Sequence, residues 1–341
     1  QAQTSLMEYL LDTPTADLND QLGRDYEPTG VDPDEWQNFR KSFQDYLKKY
    51  GHMIYNLDFG TPVPADDPGP VLDTFKLVLG GEGINPHERQ QASVESREEA
   101  IQILQTQLKG RRLKSFQRDL ARAQMYAPLR EDGLADVGLS YPLLRKMLRE
   151  IGARLVQGGM ITEQDDVFWL IQAEVEEAAA RLDHGKALDD LSGQIVHRKG
   201  LWRAARRAAP PMMLPQIKIF GKDLVELKSG GFKKDQSDTL KGVAASPGSV
   251  TARACVIQGP QDFSQMKVGD ILVAPLTTPA WTPLFVRAAA VVTDVGGPLS
   301  HGSIVAREYG IPAVLGTGDA TKRIQNGQTI TVDGNSGRVT L

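Results

Sequence analysis

Around Pro210 the texture of this sequence changes, and that change constrains the fold more than any other feature. Before it, apolar residues recur at helical spacing. Beyond Leu240 they come in short β-rich runs, VTARACVI, DILVAP, AAAVVTD, AVLG, TITVDG and RVTL, divided by Gly and Pro turns. Two such periods do not share one element, so the chain reads as a helical part followed by a separate α/β part. Between them, APPMMLPQ excludes helix, and KSGGFKKDQSD (228–238) has the Gly, Lys and Asp content of an exposed linker. The boundary falls within 228–241. The expected division is a mainly helical 1–209, a linker 210–240 and a C-terminal 241–341 of about one hundred residues, an ordinary domain size.

In the helical part, EWQNFRKSFQDYLKKYGH puts Trp36, Phe39, Phe43 and Leu47 on one face, with Gly51 as the stop. A Pro-rich connector, TPVPADDPGP, leads to the apolar run VLDTFKLVL. Residues 91–128 are helix formers with Ile101, Leu104 and Leu108 in phase. SYPLLRKMLREIGARLVQGG and TEQDDVFWLIQAEVEEAAARL read as two further amphipathic helices, the second capped by Thr162 with acids in its first turn. Residues 1–30 mix polar residues with turn formers and read as a poorly specified lead-in.

Composition narrows the function classes. A net charge of −4 over 341 residues gives no basic excess for nucleic acid, and KGRRLK and HRKGLWRAARR read as solvated helix faces. No apolar stretch reaches the roughly 18 residues of a membrane span, and QAQTSLMEYLL lacks the layout of a secretory signal. A single cysteine, Cys255, excludes an internal disulfide and a Cys-based zinc cluster, and suits a reducing cytoplasm. The chain does not begin with Met, which suggests a fragment, a processed product or one subunit of something longer.

The sharpest functional signal is VVTDVGGPLSHGSIVAREYGIPAVLG, from Val291 to Gly316. A continuous apolar strand enters a Gly-Gly-Pro turn, and His301 stands where the next helix begins. Such junctions direct free backbone N–H groups outward, and their positive end disfavours a protonated imidazole. The ring is then neutral and nucleophilic, and the same N–H groups suit a phosphoryl group attached to it. Gly297 and Gly302 leave the approach open, Ser303 offers a hydroxyl and Arg307 a cation. A capping or solvated histidine is the plainer alternative on position alone.

The longer string GGPLSHGSIVAREYGIPAVLG resembles the phosphohistidine signature of the swivelling domain in the phosphoenolpyruvate-utilising (dikinase) enzyme family. That family includes phosphoenolpyruvate synthase, pyruvate phosphate dikinase, rifampicin phosphotransferase and phenylphosphate synthase. The residues that carry the likeness are Gly296, Gly297, His301, Ala306, Arg307, Gly310, Ile311, Pro312, Ala313 and Val314. KGVAASPGSVTARACVI, GDILVAPLTTPAWTPLF and GQTITVDGNSGRVTL extend it across 241–341. The resemblance implies a C-terminal swivelling β/β/α domain with His301 as catalytic phosphohistidine and Gly297, Gly302, Ser303 and Arg307 as phosphate-binding residues. YGHMIYNLDFGTPVPADDPGPVL, the Arg130-Glu131 pair and LREIGARLVQGGMITEQDDVFWL are similar to the acceptor-binding helices found in the family. They make His52, Arg130 and Glu131 candidates for binding a small organic acceptor.

Departures from the family pattern matter too. Met53 follows His52 where the family commonly has Arg, Leu134 stands where a Lys commonly follows the Arg-Glu pair, and Leu299 replaces a regulatory Thr. No P-loop or other nucleotide cradle is visible in the sequence. The resemblance therefore implies that ATP and Mg²⁺ are bound by an ATP-grasp domain or subunit elsewhere, with no metal held by this chain. The expected activity is transfer of a phosphoryl group from ATP through phosphohistidine to an acceptor hydroxyl, as in rifampicin phosphotransferase. Alternatives are a phenylphosphate-synthase-like or biosynthetic dikinase subunit, or a non-catalytic carrier or interaction module.

Overall fold

The computed structural model describes residues 5–81, 86–207, 218–219, 222–223 and 238–341. The 210–240 linker therefore lies largely outside the described residues. Two compact units arise: Gln1–Asn56, Val63–Leu139 and Ser237–Leu341 form one, and Leu57–Pro62 with Ser140–Gln236 the other.

The first unit begins with helices α1 (Leu6–Asp12), α2 (Thr15–Gly23), α3 (Pro33–Tyr50) and α4 (Gly69–Leu79). Their shared core is Leu10, Leu18, Leu22, Val31, Trp36, Phe43 and Leu72. The lead-in is thus more ordered than its turn formers imply. Ser5 and Glu8 make a reciprocal capping box that starts α1, and the apolar Leu10, Leu18 and Leu22 supply the burial that holds both short helices. On α3, Asp32 caps the N-terminus and Trp36 is fully buried, donating its indole N–H to Tyr26 O at 2.7 Å. Helices α5 (Pro86–Gln107) and α6 (Gly110–Ala135) follow; α6 carries an internal Pro128 and has no buried residue.

The second unit contains α7 (Tyr141–Gln157), a 3₁₀ turn (Gln164–Trp169), α8 (Gln172–Asp183), α9 (Ser192–Arg207) and the antiparallel pair β1 (Lys218–Ile219) and β2 (Lys222–Asp223). Its core is Leu155, Met160, Ile161, Val167, Ala178 and Ile195. The single helix expected from Thr162 onward is two elements. Asp166 turns its carboxylate back to the Glu163 N–H and pairs with Lys199 at 2.5 Å, which closes the first turn. Glu174 then accepts from the Ile171 N–H and holds Arg198 through both oxygens at 2.7 Å, which starts the second. Thr162 contacts Ser192 at 3.1 Å instead of capping. Arg145 is 1% exposed, with a guanidinium that donates to Phe59 O and lies 4.4 Å from the Phe168 ring.

The rest of the first unit is a mixed sheet. Its strands are β3 (Thr239–Lys241), β4 (Val243–Ser246), β5 (Ser249–Val256), β6 (Ile271–Ala274), β7 (Ala290–Thr293), β8 (Ala313–Leu315), β9 (Thr329–Asp333) and β10 (Arg338–Thr340). They lie in the order β3-β10-β9-β5-β6-β7-β8-β4. Strands β5, β6, β7 and β8 are parallel neighbours and the remaining pairings are antiparallel. Alternation assigns the faces. Cys255, Leu272, Ala274, Val291, Ala313 and Leu315 point to one core, and Ala254, Ile271, Val273, Ala290, Val292 and Val314 to the other. Burial on both sides explains why β6, β7 and β8 read as unbroken apolar runs. Three short helices, α10 (Thr282–Phe285), α11 (His301–Glu308) and α12 (Ala320–Arg323), connect them. The N-terminal helices join the first face, because Tyr55 enters that core and its carbonyl accepts the Trp281 indole N–H at 2.7 Å. Thr278 donates its hydroxyl to Ile54 O at 2.6 Å.

Candidate active site

Strand β7 delivers the chain to the loop 294–300, which is fastened at both sides. The Asp294 carboxylate accepts from the Thr321 N–H at 2.9 Å and from its hydroxyl, and the Val295 N–H donates to Pro275 O. Gly296 must lie close to Gly316: a Cβ on Gly316, whose φ is +70°, would stand 2.5 Å from Gly296 O. The loop then turns Gly297 O inward, where it accepts from the Ser300 N–H at 3.0 Å, the Ser300 hydroxyl at 2.9 Å and the Ser303 hydroxyl at 2.6 Å. His301 follows as the first residue of α11, and the Phe285 ring at the end of α10 meets its imidazole edge-on at 6.2 Å.

His301 is 5% exposed. Its Nδ1 lies 2.8 Å from Oε2 of Glu131, a residue 170 positions earlier on the last turns of α6. The other Glu131 oxygen, Oε1, receives Arg130 Nη1 at 2.5 Å. A carboxylate held by a guanidinium only accepts, so Nδ1 carries the proton. Nε2 faces Thr282 Oγ1 at 3.4 Å, but that hydroxyl spends its single proton on Pro279 O at 2.7 Å, and the shorter bond prevails. Among the described residues Nε2 therefore meets only the Thr282 oxygen, at 3.4 Å, and keeps its lone pair. Burial pulls the imidazolium below its ordinary value of 6.5, and the nearby Arg130 charge adds to this, while Glu131 opposes it. Desolvation outweighs the carboxylate, so the contact is a charge-assisted hydrogen bond to a neutral ring.

The predicted phosphate-binding residues divide. Gly302 is needed for packing: a Cβ there would stand 2.6 Å from Thr277 Oγ1. Gly297 borders open space, with nothing within 4 Å of a Cβ. Ser303 is fully buried and bonds to Gly297 O, and Arg307 donates to Ala245 O at 2.9 Å and Pro298 O at 3.0 Å. In this arrangement Ser303 and Arg307 brace the loop. Of the predicted acceptor residues, Glu131 reaches His301 and Arg130 reaches Glu131. His52 follows the end of α3 with Nε2 3.8 Å from Asp136 Oδ1, beside the end of α6, whereas the His301 ring meets Glu131, Thr282 and Phe285. Thr282 was not singled out by the sequence; its one signal is the Thr-Pro pair that opens a helix after TTPAW. Among the described residues no cluster of three or more His, Cys, Asp or Glu side chains forms a metal site, and no helix is long and apolar enough to cross a membrane.

Residues 266–337 match the family model described as the PEP-utilising enzyme mobile domain, and residues 3–131 match that of the rifampicin phosphotransferase fourth domain. An uncharacterized phosphotransferase, YvkC, of Bacillus subtilis (strain 168) is 41% identical over 203 residues, which is 58% of this chain and 23% of that protein. A rifampicin phosphotransferase of Streptomyces sviceus is 29% identical across 98% of this chain and 37% of its own length. A chondramide synthase of Chondromyces crocatus is 30% identical over 87% of this chain and 8% of its own. The chain thus spans well under half the length of these relatives. His301, with the loop and helix that hold it, lies inside the mobile-domain match, and Glu131 is the last residue of the fourth-domain match.

Proposed function

We propose that this chain supplies the phosphohistidine carrier and acceptor-side residues of an ATP-dependent phosphotransferase. The observation that supports this best is the His301–Glu131 contact: a buried neutral imidazole with Nδ1 tied to a carboxylate and Nε2 unpaired is prepared for nucleophilic attack. In the first step the Nε2 lone pair attacks the β-phosphorus of ATP, which an ATP-grasp module outside this sequence would hold with Mg²⁺. A P–N bond forms as the P–O bond to AMP breaks, water then cleaves the β–γ P–O bond and releases phosphate, and the positive charge of the phosphorylated ring is offset by Glu131 through Nδ1. In the second step an acceptor hydroxyl oxygen attacks phosphorus. The P–N pair returns to Nε2, the ring is neutral again, and the hydroxyl proton passes to the medium.

Splitting the transfer in two separates donor and acceptor sites, each of which excludes water. The 241–341 domain would move between them, with 1–209 on the acceptor side. Arg130 positions Glu131, and Glu131 positions His301. His52 belongs to the acceptor side as well. The setting is the cytoplasm, where ATP is available and Cys255 stays reduced.

The test is an intact mass after ATP and Mg²⁺ are added to the native-length enzyme, or to this chain with its ATP-grasp module. One acid-labile phosphoryl adduct is expected in the wild type and none in His301→Ala. The absence of an adduct beside a competent ATP-grasp module would sink the carrier role.

A further inference from the structure

The outward side of α6 carries a pattern that the fold leaves uncovered. At about 100° per residue, Leu113, Phe116, Leu120, Glu131 and Leu134 fall on one side of this helix, and all of them are half-buried. That is the side that brings Glu131 to His301. On the opposite side Arg118, Arg122, Met125, Leu129, Asp132 and Asp136 follow one another at alternating steps of four and three residues. All six are exposed, as is every residue from 121 to 130, with Met125 at 56% and Leu129 at 60%. Alternating steps of four and three make the seam of a two-helix coiled coil. An apolar centre rimmed by charge is also the layout of an interaction surface.

The seam is its own complement. A two-fold axis level with Ala127 lays a second α6 antiparallel on the first and pairs positions equidistant from that residue. Met125 then faces Leu129 of the second copy, Arg122 faces its Asp132, and Arg118 faces its Asp136. Beside the seam, Ala121, Pro128 and Ala135 make one flank small enough for close approach. On the other flank Tyr126 meets its own copy, and Asp119 meets Gly133. A parallel pairing would instead set Arg122 against Arg122 and Asp132 against Asp132, which like-charge repulsion disfavours. We propose that α6 docks antiparallel on α6 of a second copy of this chain, with Met125 and Leu129 at the centre and the Arg122–Asp132 pairs fixing the register. Each contact occurs twice, as two-fold symmetry requires. The outer pairs add less, because Arg118 already meets Asp119 at 3.1 Å and Asp136 lies 3.8 Å from His52 Nε2. The Arg118 hydrogen bond holds the Asp119 carboxyl below its ordinary range, and the Arg122 charge adds to this, so pairing exchanges exposed ion pairs for others. Such pairs contribute little each, and the dimer is therefore weak and concentration-dependent. Glu131 faces away from the seam, so both copies keep their contact to His301 while each arm gains packing that it lacks alone.

Sedimentation of the native-length enzyme over a wide concentration range tests this, and a monomer–dimer equilibrium is expected. Arg122→Glu alone, or Asp132→Arg alone, sets two like-charge pairs across the seam and is expected to raise the dissociation constant by about tenfold. Arg122→Glu combined with Asp132→Arg reverses both charges, so attraction returns and the dissociation constant is expected to come back close to that of wild type. Within one copy the two residues stand about 15 Å apart along the helix axis, so such a rescue comes from across the seam. Both positions are exposed, and melting of the diluted monomer is expected to stay the same in all variants. A monomer at every concentration overturns the proposal. So does a dimer that ignores the single substitutions, or a double substitution that stays as weak as the singles. A monomeric enzyme in which Arg122→Glu instead slows phosphohistidine formation overturns it as well, because the ATP-grasp module then covers the seam.

Discussion

The sheet and helix α6 hold the two halves of one hydrogen bond by opposite means. Every residue of β6, β7 and β8 is buried, and His301 rises from that block on a loop whose carbonyl at Gly297 receives three donors. Helix α6 buries none of its residues and leaves Met125, Tyr126 and Leu129 more than half exposed, yet its last turns bring Glu131 to the ring. His301 is fixed by packing, whereas its carboxylate partner is fixed by an arm with little packing of its own. That asymmetry would suit the proposed carrier, whose ring must stay rigid while its partner is exchanged.

Substitutions sharpen the contrast. Phe285→Ala, beneath the imidazole and fully buried, is expected to cost about 3–5 kcal/mol in chemical denaturation. A cost below about 1 kcal/mol would mean that the sheet is not the rigid partner. Gly302→Ala forces a methyl against Thr277 Oγ1, and a loss of roughly 1–3 kcal/mol with a displaced His301 resonance is expected by NMR. On the arm, Glu131→Gln should slow phosphohistidine formation by roughly 10- to 100-fold, the scale of groups that orient a functional histidine, while leaving the melting temperature near that of wild type. An unfolding shift as large as that of Phe285→Ala would show the arm to be structural.

A smaller effect is set by pH. The unfolded chain takes up a proton at His301 near 6.5, and the folded chain only at lower pH. The unfolded state thus binds more protons in this window, so His301 costs stability as pH falls below about 6.5 and nothing above it. Melting temperatures of wild type and His301→Gln, compared at about pH 7.5 and 5.5, should diverge at the acid end with the wild type lower. A wild type that gains on acidification would mean that Glu131, not burial, governs the ring. Leu129→Ala on the exposed arm should change stability by less than about 0.5 kcal/mol.

The sequence made the sheet legible because strands buried on both faces have no polar alternation to hide them. The strand–turn–helix junction at His301 was legible in its Gly-Gly-Pro run and in Gly316, where a Cβ would stand 2.5 Å from Gly296 O. Helices α1 and α2 were not, because their three buried leucines, Leu10, Leu18 and Leu22, carry no clear period among turn-rich neighbours until the α3 aromatics cover them. The pairing of Glu131 with His301 was beyond any local pattern, since 170 residues and two different kinds of structure separate them. Thr282 was hidden for the same reason. The carbonyl partners of Ser303 and Arg307 were not legible either, because hydroxyl and guanidinium groups near a helix start suit a phosphate and a backbone carbonyl alike.

The strands at the two ends of the sheet order, β3 and β4, are separated in the chain by Gly242 alone. Its N–H donates to Gly337 O, and a Cβ there would strike Leu315 O at 2.6 Å, so one residue stitches both margins together. A fragment cut to the matched stretch 266–337 would lose β3, β4, β5 and β10 and expose raw backbone on either side of what remained. The smallest piece that keeps this seam shut begins ahead of Thr239 and runs to the last residue of β10. Anyone grafting the histidine-bearing segment onto another protein has to carry the seam with it.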